Sequence, residues 1–234
     1  MQLAASSLNS DIRKPTVPEG SVGLQNMPRL QACTEIDPQR ERVEQYISGI
    51  FHGTYNARIL EFLPLLCSLK AGPEHLAALG LRSGASGPLF CEQYLDSSLE
   101  QEIQTLYGET VSRSETMELG NLVASQSGLG VLLYLVVAKA IEQAGVRYLI
   151  FAANRKVQAS IARCGFAPRP ICNADKTCLG EQAAYWGNYY EGGPVVMVAD
   201  IPASMVHAES QPAMREILNH YCADINDLAE VVRA

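Results

Sequence analysis

The clearest fold pattern of this 234-residue chain lies in residues 121–166, "NLVASQSGLGVLLYLVVAKAIEQAGVRYLIFAANRKVQASIARCGF". Its first residues end a strand predicted over "TMELGNLVA", and the glycine turn "SQSGLG" leads into an apolar helix. "VRYLIFAA" then predicts a buried strand, and "NRKVQASIARCGF" predicts a helix that ends at Gly165. The strand, helix, strand order favours parallel pairing through a right-handed crossover. The sequence therefore predicts an α/β fold.

Composition excludes several classes of protein. The apolar run of the first helix ends at Lys139, whereas a helix that crosses a bilayer needs about 20 mostly apolar residues. The chain is 47% hydrophobic and 18% charged, which is typical of one globular domain. The formal net charge of -7 argues against a generally basic surface for nucleic acid. We therefore expect no transmembrane segment and no nucleic-acid partner.

The cysteines and the N-terminal residues indicate a reduced, cytoplasmic protein. The 7 cysteines are scattered without CxxC pairs or His-rich spacing, so neither a disulfide framework nor a metal site is predicted. The first residues lack the basic start and apolar stretch of a secretion signal. Residues 1–30 are rich in Ser, Asn, Gly and Pro, which is typical of a mobile N-terminal arm. We expect a domain over 31–205 and a C-terminal amphipathic helix over 206–234 that packs on it.

The other segments predict helices and strands around this centre. A helix is expected from Pro38, and two apolar runs joined by "AGPE" predict a hairpin. "LFCEQYLDSSLEQEIQTLYG" has helical spacing with Gly108 as a stop, so one helix is expected there. "GGPVVMVADIP" predicts a late strand.

The glycine turn predicts an anion-binding site. Unpaired N–H groups and the helix dipole at a helix N-terminus both attract negative charge. The alternative is that Gly128 and Gly130 only allow a tight turn and close packing of the helix on the sheet. The turn lacks the GKS or GKT of a P-loop and the longer G-x-G-x-x-G of a dinucleotide-binding fold.

The 121–166 stretch resembles the central half of the GNAT acyltransferase fold, in which a Q/R-x-x-G-x-G/A loop binds the pyrophosphate of an acyl-coenzyme A. Ser125, Gly128 and Gly130 occupy the loop spacing, with Ser in place of the usual Gln or Arg. An Asn and a Gly-Phe pair bound the later helix, as in that fold. The donor-binding residues that this resemblance implies are Ser125, Gln126, Ser127, Gly128, Leu129, Gly130, Val131, Asn154 and Arg155.

Three further motifs, "LFCEQYLD", "ELGNLVA" and "WGNYY", resemble signatures of the thermostable hemolysin family over about Phe51 to Ile201. This resemblance implies a single GNAT-like domain with a mixed central sheet flanked by helices. It also implies acyl transfer to a small-molecule amine from coenzyme A or from a phosphopantetheine-linked thioester, without a metal. An acyl or peptidyl carrier protein is the alternative donor. The rival hypothesis is a non-catalytic or membrane-acting protein that keeps the fold, and no oligomeric state is predicted.

Carboxylates near these motifs are candidates for amine chemistry. Glu118 is placed to act as the general base beside the thioester, or to form a salt bridge at the strand end. Asn121 either orients the substrate or satisfies a strand bulge. Helical spacing would put Glu92 and Asp96 on one face, where with Tyr94 they could bind an amine, although Asp96 could instead cap the following segment.

The sequence offers several candidates for the general acid, because Ile161 stands where the GNAT pattern often has a tyrosine. The possible substitutes are Ser160, Cys164, Tyr185, Tyr189 and Tyr190, of which we select Tyr189. "AYWGNYYEGGP" suits the wall of a substrate pocket, with Trp186 and Tyr190 as contacts, or equally the rim of a core.

The segment from Arg155 to Lys176 is locally basic. It carries five basic side chains and one acidic side chain. Such a face suits the phosphates of coenzyme A or the acidic helices of a carrier protein. The alternative is an ordinary solvated helix face.

Overall fold

The computed structural model describes residues 27–234, which fold around a seven-stranded mixed sheet in the order β1-β2-β3-β4-β5-β7-β6. The strands are β1 (Arg29–Cys33), β2 (Leu65–Ala71), β3 (Glu74–Ser83), β4 (Thr116–Ala124), β5 (Tyr148–Ala153), β6 (Arg169–Asn173) and β7 (Val195–Asp200). The helices are α1 (Arg40–Tyr55), α2 (Leu99–Tyr107), α3 (Leu129–Gln143), α4 (Arg155–Arg163), α5 (Ile201–Ser210), α6 (Pro212–His220) and α7 (Cys222–Arg233). This single α/β domain confirms the predicted fold class.

The central strands and helices agree with the sequence predictions. β4 and β5, which precede and follow the crossover helix α3 in sequence, pair in parallel. β2 and β3 form the predicted hairpin. The other neighbouring strands are antiparallel, which makes the sheet mixed.

Helices cover both faces of the sheet. On one face α1 packs Val43, Ile47 and Phe51 against Leu66 of β2 and Val123 of β4. On the same face, Leu99 and Ile103 of α2 pack in a second cluster with side chains of β5 and β7. The opposite face buries most of α3 together with side chains from α4, α5, α6 and α7. Because α3 is apolar around most of its surface, it lies between the sheet and the C-terminal helices.

The C-terminal prediction was wrong in its number of helices and in its boundary. A single helix over 206–234 was expected, but three helices follow β7, and the first of them already begins at Ile201. The first break falls before Pro212, which lacks the N–H needed to continue a helix. The last helix packs on α3 and β1, where the Tyr221 hydroxyl donates to the carbonyl of Pro28 at 2.5 Å.

Two other expectations need correction, and two strands were missed. The one helix expected over "LFCEQYLDSSLEQEIQTLYG" is a short 3₁₀ helix at Phe90–Tyr94 followed by α2, which starts after its cap Ser98. The strands β1 and β6 were not predicted. Most of the predicted arm over 1–30 lies outside the described residues, but Arg29 and Leu30 belong to β1.

Candidate active site

The strands β4 and β5 separate along their length and leave a gap in the sheet. Their register pairs run only from Thr116 with Tyr148 to Glu118 with Ile150. A cavity of about 210 Å³ lies at this gap, with walls from both faces of the sheet. Its lining is mainly apolar and aromatic and includes Phe51, Tyr55, Leu63, Phe90, Tyr94, Leu119, Tyr134, Phe151, Val157, Ile161, Trp186, Tyr189 and Tyr190.

Glu118 lies where the two strands part, at the wall of this cavity. Its side chain is only 2% exposed, and its carboxylate accepts hydrogen bonds from the amides of Phe90 at 2.9 Å and Cys91 at 2.7 Å. Burial raises the pKa of Glu118 above 4.5, and the two amides and the nearby Arg82 only partly oppose this shift. The carboxylate has four lone pairs, so at least one remains for a proton beside the bonds from the two amides and the Cys91 thiol. Glu118 therefore has both a structural contact and the raised pKa that suits a general base.

Cys91, which the sequence analysis did not select, lies beside Glu118 in the cavity wall. Burial and the neighbouring Glu118 carboxylate raise the pKa of the Cys91 thiol well above 9.0. A thiol held in its protonated form is a poor nucleophile. Cys91 thus supports the wall and the position of Glu118 instead of reacting.

Asn121 forms the bulge that the sequence analysis left as one of two alternatives. Its φ of 52° is unusual for a residue with a side chain, and the β3–β4 register shifts beside it. Its Oδ1 accepts from the Leu63 amide at 3.0 Å, and its Nδ2 faces the Glu61 carbonyl at 3.5 Å. The Asn121 amide therefore ties the bulge of β4 to the segment before β2. Asn121 also lines the cavity, and its expected catalytic role stays a prediction.

Glu92 does not bind substrate as expected, because its carboxylate is already occupied outside the cavity. It forms a two-point ion pair with Arg113 at 2.5 and 3.0 Å and accepts from the Leu89 amide at 2.6 Å. Burial alone would raise the pKa of Glu92, but the Arg113 and Leu89 hydrogen bonds lower it overall. Asp96 is exposed and does not share a helix with Glu92, because the 3₁₀ helix ends at Tyr94.

The aromatic residues predicted to contact substrate do lie in the cavity wall. The hydroxyls of Tyr94 and Tyr190 are 2.5 Å apart, and Trp186 packs edge-on against the Tyr190 ring. Burial raises the pKa of Tyr190 to about 12, so its hydroxyl stays protonated. The Tyr189 hydroxyl faces the carbonyl of Ala152, on the β5 side of the gap, at 3.4 Å. Burial also raises the pKa of Tyr189, which keeps that hydroxyl in its proton-donating form.

The glycine turn between β4 and α3 leaves its amides accessible. Residues 125–128 are exposed, and Gly128 precedes the helix with a φ of 90° and without a side-chain cap. The first amide of this region to bond within the helix is that of Leu132, which donates to the carbonyl of Gly128 at 2.9 Å. Ser125 is the exception, because both its amide and its hydroxyl donate to the carbonyl of Leu76. The accessible amides are therefore those of residues 126–131, and Ser125 anchors the turn to β3.

The start of α4 is closed by its own side chain. Asn154 is buried, its Oδ1 accepts from the Val157 amide at 3.1 Å, and its Nδ2 donates to the Tyr55 hydroxyl at 3.0 Å. These contacts show that the Asn154 side chain caps α4; it also lines the cavity, and its expected donor-binding role stays a prediction. Arg155 follows it, is exposed and forms no ion pair among residues 27–234.

The five basic side chains of the segment after β5 are all exposed: Arg155, Lys156, Arg163, Arg169 and Lys176. Arg169 differs in its contacts, because it lies over the Tyr107 ring at 4.6 Å and donates to the Leu106 carbonyl. The exposed members include two in the first turn of α4, at the same sheet edge as the start of α3, because β4 and β5 are parallel.

Two arginines that sequence reasoning missed also line the cavity. Arg58 follows the end of α1, and Arg82 lies in β3 directly opposite Glu118. No local motif marks either position, since each reaches the site through tertiary packing. Ile161, where a tyrosine was anticipated, is buried in the wall, and burial raises the pKa of the nearby Cys164 thiol.

Metal and membrane features are absent from the part of the chain that the structure describes. Between residues 27 and 234, no group of three or more His, Cys, Asp or Glu side chains is placed to hold a metal ion. In the same range, no helix combines the length and apolar character needed to cross a bilayer.

A sheet opened between two parallel strands, with an uncapped helix start at the end of one of them, defines the GNAT-like acyltransferase fold, and solved structures share it. One is the N-acyl amino acid synthase FeeM from uncultured soil microbes, with a TM-score of 0.50 at 16% identity over 75% of this chain and 92% of that one. Another is the CoA-dependent acyl-homoserine lactone synthase BjaI with SAM and isopentyl-CoA, with a TM-score of 0.50 at 11% identity over 88% of this chain and 89% of that one.

The chain belongs to the thermostable hemolysin family, whose model, described as "Thermostable hemolysin", matches residues 33–205. This confirms the family resemblance drawn from the three motifs. No curated protein matches the chain in sequence.

Proposed function

We propose that this protein transfers an acyl group from a pantetheine thioester to an amine. The observation that carries the proposal is the cavity between β4 and β5, which has the buried carboxylate of Glu118 in its wall, together with the uncapped helix start that follows β4. The N-acyl amino acid synthase and the CoA-dependent synthase that share the fold add support for acyl transfer in general.

The donor enters along the gap between the strands. The accessible amides of residues 126–131 bind its phosphates, because a helix N-terminus favours negative charge. The exposed Arg155 and Lys156 add positive charge at the same edge of the sheet. Past Glu118 and Ile150 the facing edges of β4 and β5 are not paired with each other, so their backbone groups can bond the two amides of an extended pantetheine arm. Coenzyme A and a phosphopantetheine-carrying protein offer the same chemistry here.

The acyl chain is apolar and longer than acetyl. Past the gap the cavity is walled by Tyr134, Phe151, Val157 and Ile161, which offer an acyl chain mainly hydrocarbon contacts. Each buried methylene contributes about 0.8 kcal/mol, which corresponds to roughly a fourfold gain in specificity. A wall of this kind therefore favours medium chains over acetyl.

Glu118 acts as the base and Tyr189 as the acid. The carboxylate takes a proton from the ammonium, and the freed nitrogen attacks the thioester carbonyl. The C–N bond forms, the C–S bond breaks, and the leaving sulfur takes a proton from the Tyr189 hydroxyl. A second proton leaves the nitrogen, so that one proton restores Tyr189 and one passes to solvent. The sum is one amide, one thiol and one released proton.

A transfer assay tests the proposal. The purified protein is incubated with coenzyme A thioesters from acetyl to dodecanoyl, or with the matching acylated carrier proteins, and a mixture of primary amines. We expect mass spectrometry to detect N-acyl amides whose yield rises from acetyl to the medium chains. Thioester that stays intact with every chain and every amine would contradict the proposal.

A further inference from the structure

We propose that the acceptor is an α-amino acid whose carboxylate is bound by Arg58 and Arg82 at the mouth of the cavity. This inference rests on the proposed function, because it concerns the same site and names the class of its second substrate. The two arginines supply positive charge where the rest of the lining is mostly apolar and aromatic.

Arg58 presents a charged group that the protein itself does not use. Its backbone amide donates to the Tyr185 carbonyl at 2.7 Å, which fixes the main chain beside the cavity. Among residues 27–234 its guanidinium makes neither a hydrogen bond nor an ion pair. A guanidinium has a planar fork of donors that matches a carboxylate in two-point geometry.

Arg82 places a second guanidinium next to the base. It is the register partner of Glu118 across the antiparallel pair of β3 and β4, so both side chains project from the same face of the sheet. Its ion pair with Glu61, at 2.5 Å, uses one of its five N–H donors. The Arg82 side chain is 19% exposed and the Glu61 side chain is 71% exposed, so solvent screens the pair at its Glu61 end and a substrate carboxylate can share or replace this contact.

The spacing of these groups fits an α-amino acid. Directly opposite residues in an antiparallel pair have Cβ atoms about 4.5–5.5 Å apart. An α-amino acid carries its amine and its carboxylate on one carbon, so the amine can face Glu118 while the carboxylate reaches Arg82. Arg58 then approaches the carboxylate from the rim, where the exposed Leu60 and Tyr185 leave apolar surface for the amino-acid side chain.

A polyamine or another cationic amine fits this mouth poorly. Two guanidiniums would repel a second positive charge, and the exposed Glu61 is the carboxylate at the rim that could attract it. The two acceptor classes therefore predict opposite effects for the same substitutions: loss of an arginine weakens binding of an amino acid but favours a polyamine.

The experiment compares acceptors on the full chain with the best acyl thioester found in the transfer assay. The twenty L-amino acids are tested first, and the preferred one is compared with its amide, its decarboxylated amine and spermidine. We expect the free amino acid to be the best acceptor. We expect Arg58→Gln to raise its KM at least roughly tenfold, as for loss of a charge-assisted hydrogen bond, while the KM of the decarboxylated amine changes little.

Three further variants separate binding of the carboxylate from other effects. Arg82→Gln should also raise the KM for the amino acid, and because Arg82 lowers the pKa of Glu118 it should change kcat with every acceptor. Glu61→Gln should lower or preserve the KM for the amino acid, since it frees the Arg82 guanidinium. Arg42→Gln, an equal loss of charge on the exposed surface of α1, is the matched control and should leave all values unchanged.

Each outcome decides one of the two proposals. If decarboxylated amines or spermidine are acylated as efficiently as the amino acids, the amino-acid proposal is overturned, whereas acyl transfer is still supported. If Arg58→Gln raises the KM of every acceptor equally, the amino-acid proposal also fails, because Arg58 then only shapes the cavity. If no acceptor of any class is acylated, the proposed function fails and this inference fails with it.

Discussion

The strands β4 and β5 run parallel and each leads into a helix, but the two helices start in different ways. At the start of α4, Asn154 caps the helix with its own side chain and is buried against Tyr55. At the start of α3, Gly128 has no side chain, and the amides of residues 126–131 remain accessible. The same topology therefore gives one closed helix start and one that can bind an anion. The two strands also differ in what they contribute to the cavity: β4 carries Glu118, whereas β5 contributes mainly the apolar Phe151 and Ala152.

The largest expected effect tests the chemistry assigned to β4. Glu118→Gln should keep thioester affinity and lower kcat by roughly 10²–10⁴-fold, the range for losing a general base. Steady-state kinetics with a verified amine measures this, and thermal unfolding checks that the variant is folded. Glu92→Gln is the matched control: it removes a carboxylate outside the cavity, from the 3₁₀ helix whose amides bond to Glu118, so it should lower stability and spare kcat. If Glu118→Gln turns over at the parent rate, Glu118 is not the base and only accepts the hydrogen bonds of the Phe90 and Cys91 amides.

The next effect tests the open helix start. Asn and Asp tolerate the left-handed backbone of Gly128 better than other residues do, and the space beside this position is empty. Gly128→Asp should therefore fold and weaken binding of coenzyme A at least about tenfold by repelling its phosphates, whereas the neutral Gly128→Asn should lose much less. Isothermal titration at low and high salt measures both, and the difference should shrink at high salt. Equal affinities in the two variants would place the phosphates elsewhere. A valine at position 128 would be a poorer test, since a β-branched residue is strained there.

A smaller effect tests the closed helix start. Asn154→Ala should lower the free energy of unfolding by about 1 kcal/mol through loss of the cap and leave coenzyme A affinity unchanged. Asn154→Ser keeps a capping oxygen and should recover most of that stability. Denaturant unfolding and titration of both variants measure this. Loss of affinity in Asn154→Ala comparable to that of Gly128→Asp would mean that both helix starts bind the donor, and the contrast between them would disappear.

The smallest effect is a pH dependence of stability. The pKa of Glu118 is raised on folding, so the folded state binds its proton more tightly than the unfolded state. The resulting stabilisation is present below pH 4.5, the ordinary value, and is lost as the pH rises through the raised folded-state value. The parent should therefore lose stability relative to Glu118→Gln as the pH increases above 4.5. Denaturant titrations of both proteins across this range measure how the difference in their free energies of unfolding changes with pH. A difference that does not vary with pH would show that burial does not shift the pKa of Glu118.

The predictions that succeeded depend on local pattern, and the ones that failed depend on distant partners. The strand, glycine turn and helix of residues 116–143 follow from apolar runs and glycine positions that lie next to one another in sequence. Glu92 was misassigned because its partner Arg113 lies 21 residues away, beyond any helical spacing. The helix expected over 89–108 was divided because Ser98 caps a new helix after the 3₁₀ turn. Arg58 and Arg82 reach the cavity from separate parts of the chain, so no sequence motif predicts them.

Native mass spectrometry shows whether the opened sheet binds an acyl thioester. The purified chain is mixed in turn with coenzyme A, an octanoyl thioester of coenzyme A and an octanoylated carrier protein. We expect each protein molecule to bind one acyl thioester more tightly than free coenzyme A, and we expect Gly128→Asp to bind it much less. If the parent protein binds none of the three, the opened sheet is not a thioester-binding site.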